Sequence, residues 1–143
     1  ERGEDGFRII ERNMLHEVAE FENVIIACGG GTPCFFDNME YLNKQGETIY
    51  MNATADIICQ HLNISRNVRP LLKDKSEDEV KVFVKKQIEE RDIYYKQAKH
   101  IIKVHLMDNR KKINAMAKQL ISIIEMSRKA LPTIEKNKKF TYG

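Results

Sequence analysis

Residues 24–33, Val-Ile-Ile-Ala-Cys-Gly-Gly-Gly-Thr-Pro, decide the fold of this chain. Four small or β-branched apolar residues predict a short buried strand, and three consecutive glycines predict a tightly curved loop after it. In an open α/β sheet, ligands bind at the carboxyl ends of the strands, where this loop lies. Because Gly29, Gly30 and Gly31 leave their main-chain amides unshielded, a substrate or a phosphate group can approach them directly. The stretch predicts an α/β fold with a binding loop, although three glycines alone are equally typical of a flexible loop.

The composition indicates a single globular domain. The chain has 143 residues, of which 42% are hydrophobic and 31% are charged, and its net charge of +3 is too small to suggest a nucleic-acid partner. Three cysteines, an odd number without the close pairing of a zinc site, predict reduced thiols and no metal centre. Neither a membrane span nor a targeting peptide is recognisable, so we expect a cytoplasmic protein without a membrane partner.

Helices and short strands alternate along the sequence. Apolar residues at helical spacing predict helices, and short runs of apolar, largely β-branched residues predict strands. The predicted helices span about residues 5–20, 37–44, 56–62, 76–95 and 111–129, and the predicted strands span residues 24–27, 48–51 and 101–104. Ser76, with Glu79 three residues later, has the pattern of a capping box. The alternation predicts βαβ units and a parallel sheet with helices on both faces.

Two segments fall outside these elements. Residues 63–75 are polar and contain Arg69 directly before Pro70, which favours an extended conformation, so they are predicted to form a mobile lid. Residues 132–143 are rich in lysine and are predicted to be a disordered basic tail. The folded domain is then expected over residues 1–131.

Three strands are too few for a parallel sheet, because its central strands need hydrogen-bonding partners on both sides. The sequence also begins at Glu1, without a methionine, inside a predicted helical or turn segment. We therefore expect the chain to be the C-terminal part of a longer protein.

Several short motifs resemble, in order and spacing, those of shikimate kinases. Glu-Arg-Gly-Glu-Asp-Gly-Phe-Arg at residues 1–8 is followed by the glycine loop, by Arg-Pro-Leu-Leu at residues 69–72, and by Arg91 with Tyr94 and Ala98. The resemblance covers about residues 1–125. It implies a three-layer parallel sheet of the P-loop nucleoside-monophosphate-kinase-like type, here without its first two strands. It also implies an enzyme that transfers the γ-phosphate of ATP to the 3-hydroxyl of shikimate.

The same resemblance implies ATP and Mg²⁺ as cofactors. The phosphate-binding motif of that fold, GxxxxGK(S/T), does not occur in the sequence. ATP and Mg²⁺ would then be held mainly by residues outside this chain, and we expect no ATP turnover by the chain alone. The family's sheet order places its first strand between the strands at residues 24–27 and 48–51, at the centre of the sheet.

On the substrate side, the resemblance implies that Arg8 and Arg91 converge on the carboxylate of shikimate. A planar guanidinium suits this role, because it binds a carboxylate through two parallel hydrogen bonds. Glu11 lies three residues after Arg8 on the same helical face and is expected to hold the guanidinium in place. The amides of residues 29–31 would face the substrate and the γ-phosphate.

On the nucleotide side, the resemblance makes Arg69 the catalytic lid residue that contacts the phosphates of ATP. His61 stands where family members usually carry an arginine that stacks on adenine, and Lys111 lies in a basic segment expected beside the base. A monomer is the family expectation.

Two alternatives of other kinds stay open on sequence grounds. The chain is then either a non-catalytic remnant that binds a small carboxylate or a protein partner, or a related small-molecule kinase such as a gluconate kinase. Gly-Phe-Arg at residues 6–8 and Arg-Pro-Leu-Leu at residues 69–72 favour shikimate kinase over gluconate kinase. Without the family pattern, Arg8 and Arg91 would be interpreted as solvated charges on helix surfaces.

Overall fold

The computed structural model describes residues 2–64, 76–130 and 139–142. In chain order, its elements are α1 Arg2–Ala19, β1 Ile25–Ala27, a 3₁₀ turn Thr32–Cys34, α2 Asn38–Gln45, β2 Gly46–Asn52, α3 Ala55–Ile64, α4 Glu77–Tyr95, β3 His100–Lys103, α5 Arg110–Ala130 and β4 Lys139–Tyr142. Every helix and strand predicted from periodicity is present, with boundaries that differ by no more than three residues. Most of the predicted lid, including Arg69, lies outside the described residues.

The four strands form one parallel sheet in the order β1-β4-β2-β3. The predicted α/β class with a parallel sheet is confirmed. β4 lies between β1 and β2, where Phe140 is opposite Ile25 on one side and Glu47 on the other. The expectation of a disordered tail is therefore wrong for Lys139–Tyr142. The physical reason is that the facing edges of β1 and β2 carry backbone N–H and C=O groups that a strand in this position can pair.

Side chains of β2 alternate between two helical layers. Ile49 is buried in a core with Met116 of α5, and Met51 packs against the same core. Tyr50 points to the opposite face, where its hydroxyl donates to Oδ1 of Asp92 in α4 at 3.4 Å. The sheet therefore lies between α5 and α4, which is the three-layer arrangement that the alternation of strands and helices predicts.

Helix α1 is packed less completely than its periodicity predicts. Leu15 and Ala19 are buried, whereas Phe7, Ile10 and Met14 are each at least half exposed. These three side chains line a groove of about 290 Å³ between α1 and β1. The periodicity therefore indicates the helix, whereas much of its apolar face stays accessible in the described structure. None of the helices in the described part of the chain is long and apolar enough to cross a membrane.

Candidate functional site

The glycine loop after β1 lies against two arginines that come from different helices. A Cβ atom added at Gly30 would lie 2.7 Å from Nη1 of Arg91, and one added at Gly31 would lie 2.8 Å from Nη2 of Arg8. None of the described glycines has a positive φ. Glycine is therefore needed here because a side chain would occupy the space of the guanidinium groups, and not because the backbone is left-handed. The structure brings Arg8 and Arg91 together at neighbouring residues of the loop.

Arg8 is held in a defined orientation. Its Nη1 donates to Oε1 of Glu11 at 3.0 Å, and its Cζ lies 4.0 Å from the centroid of the Phe35 ring. The side chain is 16% exposed. Its Nε is buried and has no hydrogen-bond partner among the residues that the structure describes. Arg8 is thus a pre-oriented cation with donor capacity left for an anion.

Glu11 connects α1 to the turn that follows the glycine loop. Its Oε1 accepts from Arg8, and its Oε2 accepts from the hydroxyl of Thr32 at 2.9 Å. The carbonyl of Thr32 in turn accepts from Nδ2 of Asn38 at 2.9 Å, and Asn38 is completely buried. The sequence pattern points to Glu11 as the partner of Arg8 but does not reveal Thr32 or Asn38, whose contacts are not local.

Arg91 and the loop are connected through α4. Tyr95, one turn after Arg91, donates its hydroxyl to the carbonyl of Gly30, and its ring lies 5.1 Å from that of Tyr50. Burial raises the pKa of Tyr95, although the charge and hydrogen bonding of Arg91 oppose it, and burial with nearby Asp92 raises the pKa of Tyr50 to about 12. Both phenols are therefore protonated donors at neutral pH. Tyr95 is not among the site residues expected from the sequence, and its i+4 spacing from Arg91 was the available signal.

The cysteines near the loop are neutral thiols. Burial raises the pKa of Cys34, while the charges of Arg91 and Arg8 lower it. Burial and then the charge of Glu11 raise the pKa of Cys28 to about 11. Neither thiol is therefore suited to act as a nucleophile at neutral pH, and the chemistry of the site is left to the arginines and the main chain.

His61 and Lys111, the residues expected beside adenine, belong to α3 and α5, whereas Arg8 and Arg91 belong to α1 and α4. Nε2 of His61, in the last turn of α3, accepts from the backbone N–H of Met107 at 2.9 Å. In the same segment, a hydrogen bond with Lys112 lowers the pKa of Asp108. Lys111 is exposed in the first turn of α5. The structure therefore brings His61 to the segment just before α5, and Lys111 lies in the first turn of α5. Arg69 lies outside the described residues.

A cluster of metal-ligating side chains is not formed by the described residues. Within residues 2–64, 76–130 and 139–142, no group of three or more His, Cys, Asp or Glu side chains is arranged to hold a metal ion. They provide no preformed cage for the Mg²⁺ that the family resemblance implies, and Mg²⁺ is commonly held through one or two carboxylates together with substrate phosphates.

Comparison with known proteins identifies one family. The family model for shikimate kinase matches residues 1–125. A shikimate kinase of Bacteroides thetaiotaomicron is 44% identical over 126 residues, which are 88% of this chain and 72% of that protein. A shikimate kinase of Phocaeicola vulgatus is 45% identical over 120 residues, covering 84% of this chain and 69% of the relative. The crystal structure of the shikimate kinase from Bacteroides thetaiotaomicron matches with a TM-score of 0.83 over 87% of this chain and 70% of that one, at 44% identity.

Proposed function

Since the chain belongs to the shikimate kinase family, we propose that Arg8 and Arg91 bind the carboxylate of shikimate beside the glycine loop, for phosphorylation of its 3-hydroxyl by ATP. The observation that carries the proposal is the approach of both guanidinium groups to within 3 Å of added Cβ positions at Gly30 and Gly31. Two cations from separate helices meet there on a bare stretch of main chain. Such a site suits a small anion that carries several hydroxyl groups.

The chemistry that these residues supply is neutralisation and orientation. Arg8 and Arg91 balance the carboxylate charge, and each guanidinium can donate two parallel hydrogen bonds to it. Amides of residues 29–31 then face the ring hydroxyls, which fixes the reacting hydroxyl relative to the phosphate donor. Phosphoryl transfer depends mainly on such positioning and on stabilisation of charge, so little further covalent chemistry is required of the protein.

The nucleotide side of the proposal involves the family's use of ATP and the segment that leads into α5. ATP use follows from the family, and we assign the adenine end to His61 and Lys111 because His61 is held against the segment that leads into α5. Arg69 remains our proposal for the lid cation that contacts the phosphates, on the basis of the Arg-Pro-Leu-Leu sequence. No step is assigned to Mg²⁺.

Isothermal titration of the chain with shikimate tests the substrate side. We expect Arg8→Ala and Arg91→Ala each to weaken binding about ten- to a hundredfold, because a charge-assisted hydrogen-bond pair is lost. Arg12→Ala is the matched control, since Arg12 lies one turn after Arg8 and faces Asp37 at 3.8 Å instead of the glycine loop. We expect the control to bind shikimate like the unmodified chain.

Two results would contradict the proposal. One is shikimate affinity that both arginine variants retain while circular dichroism shows them folded. The other is tighter binding of gluconate than of shikimate, which would favour a different small-molecule kinase.

A further inference from the structure

We propose that Thr32 is a positioning residue for Arg8, and that it acts through Glu11. This inference rests on the proposed function, because it assigns Arg8 to the substrate carboxylate. Thr32 does not touch the guanidinium through any contact found in the described residues. Its hydroxyl instead donates to Oε2 of Glu11 at 2.9 Å, while Oε1 of the same carboxylate accepts from Arg8 at 3.0 Å.

A glutamate carboxylate held at one oxygen can still rotate about its Cγ–Cδ bond. The Thr32 hydroxyl holds the second oxygen, so the plane of the Glu11 carboxylate is determined by donors on two sides. Glu11 is only 18% exposed, and solvent therefore competes weakly with these two hydrogen bonds. A carboxylate fixed in this way directs Nη1 of Arg8, while Nη2 lies 3.6 Å from Oε1 of the exposed Glu4, a contact that a substrate carboxylate can replace.

Thr32 is itself fixed from the opposite direction. It is 6% exposed, and its carbonyl accepts from Nδ2 of the completely buried Asn38 at 2.9 Å. Its backbone N–H donates to the carbonyl of Gly29 at 3.1 Å. One residue therefore connects α2, the glycine loop and Glu11, so that the loop and Arg8 are placed relative to each other by a single buried turn.

The test is a set of variants titrated with shikimate. Thr32→Val keeps the shape of the side chain but removes the hydroxyl, and we expect it to weaken binding about tenfold, as for loss of a hydrogen bond to a charged group. Thr32→Ser restores the hydroxyl and should restore most of the affinity. Thr54→Val is the matched control. It removes a threonine hydroxyl that accepts from the N–H of Ile57 at the start of α3, so it costs local stability without contacting Glu11.

The effect must also depend on Arg8. In the Arg8→Ala background, Thr32→Val should cause no further loss of affinity, because nothing remains for Glu11 to position. Unchanged binding by Thr32→Val in the native background would overturn the proposal. A tenfold loss that persists without Arg8 would overturn it as well, since Thr32 would then act on the loop or on overall stability. If Thr32→Val does not fold, Thr32→Ala, which adds no methyl group, takes its place.

A second measurement separates this inference from the proposed function. Nitrogen-15 NMR reports how fast the guanidinium of Arg8 rotates, and it requires no ligand. We expect severalfold faster rotation in Thr32→Val than in the unmodified chain, and equal rates would overturn the positioning role. Absence of shikimate binding by the unmodified chain would instead refute the proposed function, with the NMR result still deciding whether Thr32 orders Arg8.

Discussion

Substitution of Gly31 by alanine should strongly lower the affinity for shikimate while leaving the fold nearly intact. The added Cβ would lie 2.8 Å from Nη2, 2.9 Å from Nη1 and 3.1 Å from Cζ of Arg8. Comfortable contacts between such atoms are about 3.5 Å or longer, so the guanidinium must retreat by roughly half an ångström or more. The atoms that move are the end of a flexible side chain, and the cost in unfolding free energy should stay below about 1 kcal/mol.

Binding is more sensitive than stability to this displacement. Hydrogen bonds to a charged group contribute about 1.5–3 kcal/mol each, and a shifted guanidinium cannot keep both of its bonds to a carboxylate. We therefore expect shikimate affinity to fall about ten- to a hundredfold, measured by isothermal titration, with stability followed by urea unfolding. Retention of normal affinity by a folded Gly31→Ala chain would refute the reasoning, and so would a stability loss well above 1 kcal/mol.

Gly6→Ala is the matched control for this experiment. Gly6 lies in the same helix as Arg8, and a Cβ added there has no atom within 4 Å. Alanine in a helix interior is favoured over glycine by roughly 0.5–1 kcal/mol. The control should therefore be slightly more stable than the unmodified chain and should bind shikimate equally well.

Three further predictions follow from the contacts of α4 and the sheet. Tyr95→Phe removes the donor to the loop carbonyl and should weaken shikimate binding by about threefold to tenfold, whereas Tyr94→Phe should not; equal effects in titrations of the two variants would contradict the role of Tyr95. Burial raises the pKa of Tyr50 to about 12, so its stabilising contribution is complete below about pH 10, the ordinary tyrosine value, and is lost as the pH rises through 12. Urea unfolding should show a free energy of unfolding lower by on the order of 1 kcal/mol at pH 11 than at pH 9, and Tyr50→Phe should reduce that difference. If the difference between the two pH values were the same in Tyr50→Phe, the role of Tyr50 would be refuted. Deletion of residues 139–143 should leave the backbone groups of β1 without their partner strand β4 and should raise amide exchange in β1 about tenfold or more. Unchanged protection would show that β4 does not hold β1.

Much of the local structure was predictable because its causes are local. Ser76 accepts from the N–H of Glu79 at 3.3 Å, as the sequence pattern predicts for the start of α4. Arg8 and Glu11 meet because they are three residues apart on one helix. The α/β class likewise follows from the alternation of two periodicities, which need no knowledge of the partner elements.

The amino-acid sequence by itself determined the helices, the strands and the residue types that a carboxylate site requires. Only the tertiary structure decided that Thr32 holds Glu11 across 21 residues, that Tyr95 reaches Gly30 across 65 residues, and that β4 lies between β1 and β2. These contacts depend on how helices and strands pack, and no periodicity records which distant residue completes a hydrogen bond. The glycine loop shows the difference most directly. Its glycines predicted a turn from local conformation, but they are required because two arginines from distant helices occupy the space where side chains would lie.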